Sequence, residues 1–137
     1  LSGQTNDPAL TTVLVVDDEP LVALMMSQAF QDAGYNPLVA HNALSALELL
    51  EVSGQRIVLM VTDVRMPGAM DGLELGHVAV QRYPDLAVLT MTGYTLEDGR
   101  SAVGTVLQKP FNIDQLLQVA RRIVEDGRYW REMMKPR

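Results

Sequence analysis

Five side chains carry the chemistry that this 137-residue sequence can do: Asp17, Asp18, Asp63, Thr92 and Lys109. Each stands at or just past the end of a short apolar run. Asp17 and Asp18 close "TVLVV" (12–16), Asp63 follows "IVLMVT" (57–62), Thr92 follows "LAVLTM" (86–91), and Lys109 comes just after "GTVL" (104–107). Three carboxylates within a few Å of one another repel by about 1 kcal/mol per pair in water and about 4 kcal/mol at an effective dielectric near 20. One lysine leaves the set with two net negative charges, which a divalent cation would neutralise. Every ligand on offer is an oxygen, with no His or Cys in the pattern, so Mg2+ suits the set better than Zn2+. Mg2+ held by few protein oxygens keeps waters that phosphate oxygens can replace, and the constellation is therefore suited to phosphoryl chemistry. A carboxylate can itself be the nucleophile and become an acyl phosphate. Asp63, ending a central strand, is the best placed; Asp17 and Asp18 are then paired cation ligands, and Thr92 and Lys109 contact phosphoryl oxygens.

These residues need a scaffold that brings distant strand ends to one edge. The apolar runs, with "PLVA" (37–40) as the second of five, lack polar alternation, as strands buried on both faces do. Longer segments of helical spacing lie between them. Pro20 fits a first helical position after an acidic cap, Gly34 can close that helix, and Asn42 can cap a helix over 43–53. Asp71 with Glu74 and Asn112 with Gln115 have capping-box spacing, which predicts helices from about 72 and 113. In the last, Ile113, Leu116, Leu117, Ala120, Ile123 and Val124 form one apolar stripe. Alternating strands and helices with right-handed crossovers predict an α/β fold, an open doubly wound parallel sheet. Its polar crevice lies outside the carboxyl ends of the strands, where the strand order switches.

The length is that of one domain, and no apolar run approaches the roughly 18–20 residues of a membrane span. A net charge of −6 argues against direct nucleic-acid binding. The chain has no cysteine, in keeping with a cytoplasmic location. Residues 1–10 are polar and aperiodic and are expected to be a disordered leader or a cloning scar, with the domain over 11–126 and a tail over 127–137.

"VLVVDDEP", "VTDVRMPG", "MTGY" and "LQKPF", in this order and at these separations, resemble the receiver domain of bacterial two-component response regulators over roughly residues 11–126. The resemblance implies a flavodoxin-like, CheY-like sheet of order 2-1-3-4-5. It implies Asp63 as the residue phosphorylated by a sensor histidine kinase or histidine phosphotransfer protein, with Mg2+ bound by Asp17 or Asp18, Asp63 and the backbone carbonyl of Arg65. It also implies Thr92 and Lys109 as sensors of the phosphoryl group, a cis Lys109–Pro110 bond, and signalling to a downstream partner or attached module. Such a chain is a switch rather than an enzyme, though it can catalyse its own phosphorylation and dephosphorylation; whether it dimerises is left open.

Three features depart from the family pattern. Val106 stands where an aromatic residue is usual. The span from Thr92 to Lys109 is short, leaving room in "LEDGRSAVG" for a shortened fourth helix at most. "PGAMDG" has one residue more than the commoner loop. Competing readings fit less well. An aspartyl phosphatase wants an acid two places after the nucleophile, where Arg65 stands, and "DDEP" would repel the phosphate of a flavin or nucleotide. A degenerate receiver that only binds partners would not need all five site residues. His41 and His77 have no partner at metal or triad spacing and read as structural. Tyr129, Trp130, Met133 and Met134 form an apolar cluster expected to pack back onto the domain, with a dimer or linker contact as the minor reading.

Overall fold

The computed structural model describes residues 10–53, 56–93 and 101–134. Five strands alternate with helices: β1 (Thr12–Val16), α1 (Pro20–Asp32), β2 (Asn36–Ala40), α2 (Ala43–Ser53), β3 (Ile57–Asp63), α3 (Gly72–Arg82), β4 (Ala87–Thr92), β5 (Thr105–Gln108) and α4 (Ile113–Met133). All pairings are parallel and the order is β2-β1-β3-β4-β5. This is the flavodoxin-like fold expected.

The period of two along each strand sorts the core into two layers. Val13, Val15, Leu59, Val61, Leu89 and Met91 meet α1 and α4 through Met26, Phe30, Leu116, Ala120 and Val124. Leu14, Val16, Met60 and Val88 face the opposite way, onto Ala46 and Leu50 of α2 and Leu75 and Ala79 of α3. Both faces of β1 are therefore covered, which is why "TVLVV" is apolar at every position after its first.

The helix ends follow the local chemistry predicted for them. Both capping boxes close, with Asp71 accepting from the Glu74 N–H at 3.0 Å and Asn112 from the Gln115 N–H at 2.8 Å. Asn42 accepts from the Ser45 N–H at 2.8 Å. Gly34, at φ +98°, follows α1 in the left-handed region that a side chain would disfavour. Glu19 is the N-cap of α1 without a side-chain cap bond; the carboxylate that accepts its N–H, at 2.9 Å, is Asp17.

Two expectations fall largely outside the described residues: the leader over 1–10, of which 1–9 lie outside, and the shortened fourth helix in "LEDGRSAVG" (96–104), of which 96–100 lie outside and 101–104 are not helical. One is corrected. Tyr129, Trp130, Met133 and Met134 do not pack back on the domain; they are 59–75% exposed. Val124 is the last buried residue of α4, and the helix runs on through Gly127 to Met133. Past Val124 the side chains on the α4 stripe have run beyond the core layer that buried the earlier ones. Among the described residues, no helix is long and apolar enough to cross a membrane.

Candidate functional site: a triple-aspartate crevice

Strand register assembles the crevice. Val16 pairs with Thr62, so Asp17 and Asp63, the next residues, emerge side by side from the two central strands. These are the strands on either side of which the chain changes direction, the switch point of the sheet. One ligand oxygen from each of Asp17, Asp18 and Asp63 lies within 4.8 Å of the others. Thr92 ends β4, and its carbonyl accepts from the Lys109 N–H at 2.7 Å, which continues the β4–β5 ladder to the lysine. The Lys109–Pro110 bond is cis. Lys109 Nζ lies 3.4 Å from Asp63 Oδ1.

The carboxylates are not equivalent. Asp17 is 2% exposed, and burial pushes its carboxyl above the ordinary carboxylate range. The charges of Asp63 and Asp18 push the same way; the hydrogen bond from Glu19 and the charge of Lys109 oppose them. Asp63 is half-buried and accepts at Oδ1 from both the Val64 N–H, at 2.8 Å, and Lys109. Three oxygen ligands from two strand ends, with excess negative charge between them, fit a hard divalent cation. An octahedral Mg2+ with bonds near 2.1 Å spans ligand oxygens about 3 to 4 Å apart.

The five residues expected at the site are thus all at the carboxyl edge: the three aspartates and Lys109 are brought together, and Thr92, 3% exposed, sits at the adjacent strand end. Arg65 follows Val64 and lines, with Asp18, Met66, Pro67 and Asp71, a cavity of about 400 Å³ beside the aspartates. One ring nitrogen of each histidine faces a backbone carbonyl, Nδ1 of His41 that of Asp17 at 3.1 Å and Nε2 of His77 that of Ser101 at 2.8 Å, and neither is part of the aspartate cluster.

Gly72 is the site residue that sequence reasoning missed. A Cβ there would overlap the carbonyl oxygen of Asp63, and the Gly72 N–H donates to Val64 O at 2.8 Å. The start of α3 therefore lies directly on the backbone of the phosphorylation-site candidate. The signal was a glycine at a first helical position after a full capping box, where helix propensity alone favours almost any other residue but proline.

A family model for the response regulator receiver domain matches residues 13–121. The chain belongs to that family. Among relatives of this receiver domain, a putative response regulator NtrX-like from Rickettsia bellii is 32% identical over 90% of the chain and 27% of its own length. Sensor kinase CckA from Brucella abortus is 33% identical over 83% of the chain and 12% of its own. The structure of chemotaxis protein CheY4 from Vibrio cholerae superposes with a TM-score of 0.75 at 31% identity, over 84% of the chain and 99% of that one. The receiver domain spans about a quarter of the NtrX-like regulator and nearly all of CheY4, so the same module occurs in quite different settings.

Proposed function

We propose that this receiver domain accepts a phosphoryl group on Asp63 in a Mg2+-dependent reaction and switches conformation to signal to a partner. The observation that carries the reading is the convergence of Asp17, Asp18 and Asp63 within 4.8 Å, with Lys109 on Asp63.

Mg2+ would be held by Asp17, Asp18, Asp63 and the Arg65 carbonyl, and supplies charge neutralisation for the acids and the incoming phosphoryl oxygens. Asp63 Oδ1 is engaged by the Val64 N–H and Lys109, which leaves Oδ2 to attack phosphorus. The O–P bond forms as the bond to the donor breaks; from a phosphohistidine, the electron pair leaves with the imidazole nitrogen, which takes up a proton. The half-exposed Lys109 then exchanges its carboxylate partner for a phosphoryl oxygen. Thr92, at the neighbouring strand end, supplies a hydroxyl to another. The added charge, roughly −1.5 to −2, draws both groups inward and moves the segments after β4 and β5 between two populations. The donor is a sensor histidine kinase or phosphotransfer protein, the setting cytoplasmic, and the output a protein contact or an attached module. The chain would be a switch, not a turnover enzyme, although the same groups can catalyse hydrolysis of the acyl phosphate.

Intact mass measurement after incubation with acetyl phosphate tests this. One phosphoryl group should be added with Mg2+, none with a chelator, and none on Asp63→Asn. Equal labelling of Asp63→Asn would refute the reading.

A further inference from the structure

Lys109 follows a short strand held by its ladder to β4 and by the packing of Leu107 on the core. β5 has four residues, three of them exposed, including Val106 at 45%; among the described residues it lies at the sheet edge and pairs only with β4. Short, exposed edge strands have the weakest register and open most readily. What fixes the start of β5 lies on α3. The His77 ring Nε2 stands 2.8 Å from the Ser101 carbonyl oxygen, a bond the ring makes as Nε2–H donor. One residue earlier, a Cβ on Gly76 would stand 3.1 Å from Val103 Cγ2, so the glycine lets Val103 press into the core layer beneath α2 and α3. Gly104 turns the chain at φ +70°, where a Cβ would overlap the Val88 carbonyl. Three successive contacts thus strap residues 101–104 onto α3 and β4 before β5 begins.

We infer that His77 is a positioning residue: by bonding Ser101 it anchors the strap that sets the register of β5 and so the placement of Lys109 at Asp63. This rests on the proposed role of Lys109 in phosphoryl transfer. Asp17 and Asp18 follow β1 and Asp63 ends β3, strands the strap does not touch, so the strap reaches the metal site only through the charge of Lys109 beside Asp63.

His77→Phe keeps a ring and removes the donor; His77→Gln keeps an N–H at a similar reach. Amide hydrogen exchange across 105–108, the rate of labelling by acetyl phosphate at saturating Mg2+, and Mg2+ affinity are measured on the whole chain, beside Lys109→Ala. In His77→Phe the β5 amides should exchange about two- to tenfold faster, the change in open population that one ordinary hydrogen bond governs, and labelling should slow. Mg2+ affinity should not fall, since a loosened Lys109 takes a positive charge away from Asp63, and His77→Gln should restore both other readouts. Unchanged β5 exchange in His77→Phe, or failure of Gln to restore it, overturns the anchor. A Lys109→Ala protein labelled as fast as the parent overturns instead the role of Lys109 beneath it.

Discussion

Val16 of β1 and Thr62 of β3 are register partners, and this single pairing is what sets Asp17 and Asp63 next to each other outside the sheet. A slip by one residue would turn the alternating side chains of β3 over and separate the acids. The site is thus specified by the core: Val15 and Val61, register partners on one face, and Leu14 and Met60 on the other, are all fully buried.

Crowding of the acids without a cation should weaken the fold. The Asp17 pKa is raised in the folded protein, so its contribution to stability is fully present below the unfolded carboxylate value and is lost as pH rises through the folded value. Asp17→Asn should therefore raise the Tm of the metal-free protein at pH 7, with the gain shrinking as pH falls through the raised folded value and gone below about pH 4, where the carboxyl is protonated in both states. The same substitution should weaken Mg2+ binding. Thermal melts against pH, with and without chelator, check both signs.

Asp17 together with Asp18 replaced by Ala should bind Mg2+ about tenfold more weakly or worse and remain folded, since both acids follow the end of β1 and the relief of their repulsion offsets the lost bond from the Glu19 N–H. Calorimetric titration with Mg2+ measures this.

Gly72→Ala should destabilise by about 1–3 kcal/mol, the cost of forcing a methyl into a packed contact, because the neighbour is the Asp63 carbonyl and not a side chain that can rotate away. Helix propensity alone argues the opposite, a gain of up to about 1 kcal/mol. Denaturant midpoints decide the sign, and the acetyl phosphate labelling rate should fall in the same variant.

The tail carries a prediction of near silence. Trp130→Ser and Met133→Ser lie on an exposed face and should change stability by no more than about 0.5 kcal/mol. A larger loss in the melt would mean that the cluster packs on the domain after all.

The divide between what the sequence disclosed and what it hid is physical. The central strands β1, β3 and β4 are mostly buried and must be apolar, so their ends were legible to within a residue, and with them the acids at the ends of β1 and β3; the end strands β2 and β5 are only partly buried or exposed, which their apolar runs did not disclose. Asp71 and Asn112 announced α3 and α4 because a capping box is a local, three-residue device. The exposure of Tyr129 and Trp130 was not legible, since an apolar helical face reads the same whether or not a sheet continues beneath it. Nor were the bond of His77 to Ser101 and the close approach of Gly72 to the Asp63 carbonyl, which join residues that only the finished fold brings together.

The central claim is that Asp63 is the phosphoryl acceptor. Borohydride reduces an acyl phosphate to the alcohol, so reduction after acetyl phosphate treatment converts the labelled aspartate to homoserine, and peptide mass mapping locates it. The expected result is homoserine at position 63, formed with Mg2+ and not with chelator. Homoserine at another aspartate, or none at 63 under conditions that label a control receiver, would contradict it.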